Sequence, residues 1–367
     1  MNLVLLYGGR STEHEVSCSS ATGVLAALLQ IDTLQVAVVG ITRDGVWHLQ
    51  DSSARSREAA DGAPLQIDED DAGRVAVIPS GGLALPGGAT IPCDCVLPVV
   101  HGSYGEDGTL QGMLEMADLP YVGSGVTGSA VGMDKMRSKR LWQDNGLPVV
   151  PYLHVAGRDL VGSGRMQSLQ AAIDEQLGYP VFIKPNAGGS SVGISRVEEP
   201  SDLEPALRRA LQVDHTVLIE QALSVREIET AVLGNDDLRA FPPGEVVPRH
   251  RFYDYEAKYS DPQGAELIIP ADLPEDLAQD IMDISVSAFT AIDGSGMARV
   301  DCFVTGGIAD RRVYLNEINT IPGFTPISMY PKMVAAGGVD YQELLLTLVT
   351  LARERHDRRV SRDMRAR

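Results

Sequence analysis

The stretch VFIKPNAGGSSVGISRV, residues 181–197, joins a short apolar strand to a loop made of glycine and serine. Lys184 stands at the end of the apolar run. The loop offers backbone N–H groups and two hydroxyls that can surround phosphate oxygens, and Lys184 adds a positive charge beside them. The alternative is an ordinary glycine-rich hairpin whose lysine extends its ammonium to water. This stretch alone leaves both interpretations open.

The amino-acid composition limits the classes of protein to which this chain can belong. The chain has 367 residues, which exceeds one ordinary core and favours two or three domains. Its net charge of -19 argues against a nucleic-acid partner, because binding to phosphate backbones needs a basic face. A local lysine cluster or a metal ion can still reverse the field inside a cleft.

The sequence contains no recognisable targeting signal, so it predicts a cytoplasmic protein with no membrane partner. The opening residues MNLVLLYGG lack a basic region and a small-residue cleavage site, and no apolar run reaches the roughly 18 residues of a membrane span. The four cysteines form no CxxC pair and are too scattered for a disulfide framework. We therefore expect reduced cysteines that serve as packing residues.

The first hundred residues predict a parallel α/β unit. Strand 2–7, the glycine turn 8–13, helix 14–29 and strand 34–41 form a βαβ pattern. From about 43 to 91 the pattern dissolves into Gly, Ser, Asp and short β pieces, which we interpret as an insertion. Further elements are predicted as helices at 110–117, 129–145, 167–177, 203–213, 274–292 and 342–354, and strands at 95–100, 181–184, 217–221, 227–233, 297–304 and 313–318.

Two later strands predict a site for a divalent cation. In ARVDCFV, Arg299 and Asp301 are two residues apart and therefore point to one face of a strand. Glu317 and Asn319 repeat that spacing. Two carboxylates and an amide oxygen are the hard ligands that Mg²⁺ takes when it also holds nucleotide phosphates. The alternative is a solvent-facing pair of strands with ordinary alternating charge.

A third segment, VLIEQALSVRE at 217–227, resembles a hinge between strands. Its exposed backbone and the apolar Leu223 can hold an adenine, Glu220 ends the first strand, and Glu227 can take ribose hydroxyls. The segment GSGVTG at 123–128 fits a dinucleotide-binding pattern, but no clear strand precedes it and no acidic residue follows at the required distance. We interpret it as a tight turn into the next helix.

Taken together, Lys184 with its loop, the hinge and the metal-type residues resemble an ATP-grasp enzyme. The motifs GGRSTEHEVS, HGSYGEDGTLQG, MDKMRSK, FYDYEAKY and NEINTIPGFTPISMYP resemble the D-alanine–D-alanine ligase family over essentially the whole chain. The stretch 43–91 carries none of them.

This resemblance implies an α/β, three-domain ATP-grasp architecture, in which a parallel N-terminal α/β domain precedes two α+β domains that clamp ATP. The implied domains are 1–134 with its insertion, 135–222, and 223–367 with a lid loop at about 248–265. The implied reaction joins two D-alanines through a D-alanyl phosphate, for peptidoglycan precursor synthesis. ATP is the co-substrate, two Mg²⁺ or Mn²⁺ ions are the cofactors, and the expected assembly is a homodimer.

The resemblance also implies roles for individual residues. Gln221 departs from relatives that have lysine in the adenine hinge, since a glutamine can hydrogen-bond there but carries no charge. Tyr259 matches the position at which related D-lactate ligases typically present histidine, and it favours D-alanine as second substrate. The implied residues are Glu13, Ser190, Tyr259, Arg299 and Gly323 for catalysis; Glu13, His101, Ser328 and Met329 for the D-alanines; Lys135, Lys184, Ser191, Glu220, Gln221, Leu223, Glu227 and Lys258 for ATP; and Asp301, Glu317 and Asn319 for metal.

Three alternatives stay open at this point. One is a ligase of the same mechanism with D-lactate or D-serine as second substrate. Another is a catalytically idle ATP-binding regulator, against which Arg299 argues because a simple binder has no need of an oxyanion donor. The third, a dinucleotide-dependent oxidoreductase, depends on GSGVTG alone.

Overall fold

The computed structural model describes residues 1–190, 192–248, 265–307, 311–325 and 327–365, with side chains up to residue 361. These residues form mixed α/β structure around sheets of four, four, six and three strands. Within these ranges, every helix is too short or too polar to cross a membrane.

The N-terminal unit confirms the predicted βαβ pattern. Strand β1 pairs in parallel with β2 on one side and β7 on the other, in the order β3-β2-β1-β7. Strand β1 is an unbroken apolar run because helices cover both faces of a parallel sheet. The elements are β1 (Asn2–Gly8), α1 (His14–Leu28), β2 (Gln35–Ile41), β3 (Trp47–Leu49), α2 (Ser52–Asp61), β4 (Ala76–Ile78), β5 (Gly82–Ala84), β6 (Thr90–Ile91), β7 (Cys95–Pro98), α3 (Thr109–Met116), α4 (Val126–Met133) and α5 (Lys135–Asp144).

The insertion at 43–91 is more regular than the sequence predicted. It contains helix α2 and a small antiparallel sheet of β4, β5 and β6. Asp51 caps α2 by accepting a hydrogen bond from the Ser53 N–H at 2.8 Å, and Gly62 ends the helix with a φ of 70°. These two capping residues are visible in the sequence.

The prediction of one helix at 129–145 is wrong in one respect, because the structure has two helices there, α4 and α5. Asp134 leaves the helical conformation between α4 and α5, and its carboxylate accepts from the Arg137 N–H at 2.9 Å. The break turns α5 toward the central sheet, where Asp134 bridges Ala187 of the glycine-serine loop.

The central unit is an antiparallel sheet in the order β10-β9-β11-β8. In its register, Leu218 lies opposite Lys184 and Glu220 lies opposite Phe182. Lys184 and Glu220 are therefore diagonal neighbours on one face. The elements are β8 (Tyr152–Ala156), which the sequence left unassigned, α6 (Arg165–Gln176), β9 (Val181–Pro185), β10 (Ser195–Val197), α7 (Leu203–Ala210) and β11 (Thr216–Gln221).

The C-terminal unit is the six-stranded antiparallel sheet, with β12 at its centre between β14 and β16. Several of its short elements were not predicted from the sequence, including a helix directly after the NEINTIPGFTPIS segment. The elements are β12 (Arg226–Gly234), β13 (Arg239–Ala240), β14 (Gly244–Pro248), β15 (Ala265–Ile268), α8 (Glu275–Ala291), β16 (Gly296–Thr305), β17 (Arg312–Asn319), α9 (Met329–Ala336) and α10 (Tyr341–Arg365).

Helix α10 connects the two ends of the chain. Its buried residues Leu344, Leu345 and Leu348 share one hydrophobic core with Leu3 and Leu5 of β1. The helix runs past the predicted end at 354 and reaches Arg365. Its arginines and histidine face Glu115 and Asp118 at the C-terminal end of α3. The boundaries at 134/135 and 222/223 stay predictions.

Candidate active site

The paired strands β16 and β17 bring the metal-type residues together as predicted. Asp301 lies opposite Glu317, and Arg299 lies opposite Asn319, with an irregularity in the register just after Asp301. The Asn319 amide donates to Asp301 Oδ2 at 3.2 Å. The alternating spacing therefore confirms a shared face, and its polar side chains lie beside the lysines of the central unit.

Arg299 is held firmly by acidic groups. Its Nε and Nη2 each donate to Asp301 at 2.7 Å, and Nε lies 3.1 Å from Glu229 Oε2 on β12. Burial opposes the charged form, but Asp301 and Glu229 outweigh it and raise the pKa of Arg299 well above its usual value. The guanidinium is thus a permanent, oriented cation with two N–H groups aimed along one carboxylate.

The donor chemistry of the shared face fits a magnesium or manganese ion. Asp301, Glu317 and Asn319 supply two carboxylates and an amide oxygen, which are hard ligands. Both carboxylates are engaged by cations, Asp301 by Arg299 and Glu317 by Lys135. Among the described residues, no three acidic, histidine or cysteine side chains converge as a metal-type cluster, so asparagine and substrate oxygens would have to complete the coordination.

A buried cluster of charges occupies the central face. Lys184 Nζ lies 2.5 Å from Glu220 Oε2, and Lys139 Nζ lies 2.8 Å from Glu220 Oε1. Burial alone would raise the pKa of Glu220, but the two ammonium groups hold it at about 2. Lys184 also donates to the Asn316 side chain at 3.3 Å. Lys139 was not singled out from the sequence, although it stands one helical turn after Lys135 in MDKMRSK.

Lys135 links the glycine-serine loop to the metal-type face. Its Nζ donates to the Gly188 carbonyl at 2.8 Å and lies 3.2 Å from Glu317 Oε2. The loop start is fixed on the same helix end, because Asn186 Oδ1 accepts from the Met136 N–H at 2.8 Å. Two of the predicted phosphate lysines, Lys135 and Lys184, therefore contact neighbouring residues of β17, Glu317 and Asn316.

The predicted adenine hinge follows β11. The Glu220 side chain is buried in the charge cluster, so a nucleotide can meet only the backbone of this residue. The Gln221 side chain is also engaged within the protein, since its Nε2 donates to the Leu177 carbonyl at 2.8 Å. Leu223 is half-buried beyond the strand, and Glu227 lies on β12 opposite Phe303.

Glu13 lies at the start of α1, where three segments meet. The Ser190 hydroxyl donates to Glu13 Oε1, with Ser190 in the left-handed region at φ 53°. The backbone packs closely here: a Cβ on Gly102 would lie 2.5 Å from Glu13 Oε2, and one on Gly189 would lie 2.8 Å from it. Two glycines thus leave space for the carboxylate.

His101 uses both ring nitrogens within the protein. Nδ1 lies 3.0 Å from the Ile321 carbonyl, and Nε2 lies 3.0 Å from Ser20 Oγ. Burial lowers the pKa of His101, which favours a neutral ring that donates from Nδ1 and accepts at Nε2. His101 lies close to Glu13, because the Ser11 hydroxyl donates to the His101 carbonyl at 2.6 Å and accepts from the Glu13 N–H at 3.1 Å.

Glu106 is a buried acid that the sequence did not reveal as special within HGSYGEDG. Its Oε1 accepts from the Gly102 N–H at 2.8 Å and lies 3.9 Å from His101 Nδ1. Burial, and then the charge of Glu13, raise the pKa of Glu106 to about 8. It stabilises the loop at Gly102, which approaches the Glu13 carboxylate closely.

The segment before α9 holds the remaining substrate candidates. Ser328 Oγ lies 2.7 Å from Thr325 Oγ1 and accepts from the Thr325 N–H at 3.2 Å, so it does not cap α9. A Cβ on Gly323 would lie 3.1 Å from Ser328 Oγ, which shows how closely the two approach. The Met329 side chain is buried in the core, so any substrate contact of this residue comes from its backbone.

Some predicted residues lie outside the described part of the chain. These are Ser191, Lys258, Tyr259 and nearly all of the predicted lid at 248–265.

Two family models match the chain. The model described as D-ala D-ala ligase N-terminus matches residues 2–124, and the model described as D-ala D-ala ligase C-terminus matches residues 141–350.

Curated relatives match over nearly the full length. A D-alanine--D-alanine ligase of Treponema denticola is 43% identical, with 97% of this chain and 96% of the relative covered. A D-alanine--D-alanine ligase of Kocuria rhizophila is 46% identical, with 96% of this chain and 94% of the relative covered.

Solved structures agree with the fold. The D-alanine-D-alanine ligase from Coxiella burnetii has a TM-score of 0.82 at 33% identity and covers 100% of this chain and 97% of its own. The VanG D-Ala:D-Ser ligase from Enterococcus faecalis has a TM-score of 0.81 at 32% identity and covers 96% and 99%.

Proposed function

This chain belongs to the D-alanine–D-alanine ligase family, and from that premise we propose that it joins two D-alanines into D-alanyl-D-alanine at the expense of ATP. The product serves peptidoglycan precursor synthesis. The observation that carries the proposal is the register that sets Arg299 and Asp301 opposite Asn319 and Glu317, beside Lys135 and Lys184. This geometry joins phosphate-binding cations and hard oxygen ligands in one cleft.

The reaction has two displacements. A carboxylate oxygen of the first D-alanine attacks the γ-phosphorus, and the bond to the β–γ bridging oxygen breaks, which gives D-alanyl phosphate and ADP. The amine of the second D-alanine then attacks the acyl carbon. The carbon–oxygen bond to phosphate breaks, the amine loses a proton, and dipeptide and phosphate leave.

The described residues divide this work. Glu13 pairs with the ammonium of the first D-alanine, and Ser190 and His101 keep its pocket in shape. Lys135 and Lys184 hold the phosphates, and the hinge at Leu223 holds the adenine.

The remaining groups act at the reacting centre. Arg299 and the Gly323 N–H stabilise the negative oxygen of the tetrahedral intermediate, where charge develops. Ser328 and the Met329 backbone bind the second carboxylate. Asp301, Glu317 and Asn319 would hold Mg²⁺ or Mn²⁺, which neutralises phosphate charge when bound.

Several finer points of the proposal depend on the family resemblance. Lys258 contacts phosphate, Ser191 belongs to the ATP loop, and Tyr259 lies in the lid and selects D-alanine. The chain divides into domains at 134/135 and 222/223. Two metal ions are bound, and the enzyme is a homodimer. It acts in the cytoplasm, where its co-substrate ATP is made.

One specific observation supports a second candidate. A D-Ala:D-Ser ligase has the same fold at 32% identity, so the same cleft in a relative accepts D-serine. The curated relatives named D-alanine--D-alanine ligase are more similar, which favours D-alanine here.

A competition assay tests the proposal. Purified protein is incubated with Mg-ATP and D-alanine, with or without D-serine or D-lactate, and phosphate release is measured together with product mass. We expect phosphate to match D-alanyl-D-alanine in every mixture. A mixed D-alanyl-D-serine or D-alanyl-D-lactate product would keep the mechanism and change the substrate, and no phosphate release would refute the function.

A further inference from the structure

We propose that Lys139 is a positioning residue that neutralises Glu220, so that Lys184 keeps an unbalanced positive charge for the phosphates of ATP. This inference rests on the proposed function, because it takes the cleft to be a nucleotide site. Lys139 has no place in the reaction as described above, yet it is completely buried at 0% exposure.

Charge counting within the cluster supports the proposal. One carboxylate, Glu220, faces two ammonium groups, Lys139 at 2.8 Å and Lys184 at 2.5 Å. These three groups together carry one net positive charge. Glu317 and Glu227 also act on Lys184, and Glu317 is itself paired with Lys135 at 3.2 Å. Without Lys139, Glu220 and Lys184 would form a neutral pair, and their attraction for a phosphate would fall sharply.

The two lysines differ in how accessible their side chains are to a ligand. Lys139 is enclosed between α5 and the two sheets, and its Nζ also lies 3.5 Å from the Leu315 carbonyl of β17. The Lys184 side chain retains 10% exposure and reaches the Asn316 amide at the cleft. Lys184 therefore meets the ligand, while Lys139 acts on it through Glu220.

Because the cluster of Lys139, Glu220 and Lys184 is buried, removing one of its charges is energetically costly. A buried carboxylate needs its full set of partners, and removing one cation leaves charge that water cannot screen. Burial lowers the pKa of Lys139, and Glu220 opposes that shift. Lys184 has its pKa raised, because Glu220 outweighs the effect of its burial.

The test compares the binding of ATP with that of adenosine, which lacks phosphates, by calorimetry on the full-length protein. We expect Lys139→Met to weaken ATP binding by about tenfold or more and to leave adenosine binding nearly unchanged. Lys139→Arg, which keeps the charge, should restore much of the ATP affinity. Arg140→Met is the matched control, because Arg140 is the next residue of the same helix and is exposed.

A double variant separates charge from packing. In Lys139→Met/Glu220→Gln, Lys184 loses its carboxylate partner and regains its free charge, so ATP affinity should recover relative to Lys139→Met. If Lys139 only fills space, ATP and adenosine affinity will fall together and the double variant will be no better, which overturns the proposal. If Lys139→Met does not fold, Lys139→Gln is measured in its place, with the same outcomes expected.

Measurements on the wild-type protein distinguish a failure of the proposed function from a failure of the Lys139 proposal. ATP binding without dipeptide formation would refute the proposed function, while the Lys139 comparison would still be decided. Dipeptide formation with equal ATP affinity in Lys139→Met and Arg140→Met would refute the Lys139 proposal alone. Absence of ATP binding in the wild type would overturn both.

Discussion

At the scale of single residues, Arg299 shows most clearly how neighbouring charges fix the position of a side chain in the candidate site. It donates twice to Asp301 and also faces Glu229, so its position is determined before any substrate arrives. A pre-oriented donor needs no reorganisation when charge develops on an oxygen.

Arg299→Ala is therefore expected to lower kcat by roughly 100- to 1,000-fold, the usual effect of losing one oxyanion donor. Stopped-flow or coupled phosphate release measures this. Arg312→Ala, at the exposed start of β17, is the control and should be nearly silent. Equal kcat values for the two variants would remove Arg299 from the mechanism.

Glu317→Gln tests the metal proposal. The substitution keeps the shape but removes the negative charge opposite Asp301, so we expect kcat to fall by about 100-fold or more and the required Mg²⁺ concentration to rise. A Mg²⁺ titration of activity is the measurement. Glu266→Gln, on the exposed face of β15, serves as control, and an unchanged Mg²⁺ dependence in Glu317→Gln would contradict the assignment.

Glu106 predicts a pH dependence of stability. Its folded pKa of about 8 lies above the value near 4.3 expected for unfolded Glu, so the folded state holds the extra proton between these limits. Its contribution is fully present at low pH and is lost as pH rises toward about 8.

The free energy of unfolding should therefore fall more between pH 6 and pH 8 in the wild type than in Glu106→Gln, by about 2–3 kcal/mol. Urea unfolding at both pH values measures this difference. Parallel pH profiles for the two proteins would show that Glu106 does not hold the proton.

At the scale of elements, the glycine-serine loop is shaped by what lies under it. Gly188 accepts from Lys135, and Gly189 approaches Glu13 too closely for a side chain. The loop therefore joins Lys135, a proposed phosphate ligand, to Glu13, the proposed ammonium-binding carboxylate.

Gly189→Ala should displace the Glu13 carboxylate, because the added methyl would lie 2.8 Å from Oε2. We expect kcat/KM for D-alanine to fall roughly 10- to 100-fold, the scale of a small misplacement in a site. Gly188→Ala is a close control, since its methyl would meet Pro185 and Val213 at an ordinary 3.8 Å. Equal loss in both variants would indicate general loop damage instead.

At the scale of the whole molecule, α10 ties the C-terminal sheet to the N-terminal unit. Arg355 stacks 4.1 Å over the Tyr121 ring, and its Nη2 donates to the Tyr121 carbonyl at 3.1 Å. Because the apolar face of α10 also belongs to the β1 core, the first unit depends on the last helix for burial.

Arg355→Ala is accordingly expected to lower the free energy of unfolding by about 1–3 kcal/mol, through lost stacking and hydrogen bonds. Adenosine affinity should stay unchanged, because the described partners of Arg355, Tyr121 and Glu115, lie outside the hinge at 217–227. Denaturant unfolding is the measurement, with the exposed Arg353→Ala as control. Full stability in Arg355→Ala would show that apolar burial alone holds α10.

The sequence by itself determined the β1-α1-β2 unit, the alternating spacing that put Asp301 beside Arg299, and the family, because these depend on local periodicity and on motifs that lie within one element. The capping residues of α2, Asp51 and Gly62, also stand in the sequence, but the helix was not predicted because the composition around them is polar.

Only the tertiary structure decided which cation meets which acid. Lys139, Glu220 and Lys184 come from α5, β11 and β9, and no spacing along the chain reveals that one carboxylate lies between two ammonium groups. The same holds for Glu106, whose pKa is raised by burial and then by the charge of Glu13. Desolvation and charge pairing depend on distances in space, and the fold alone creates those distances.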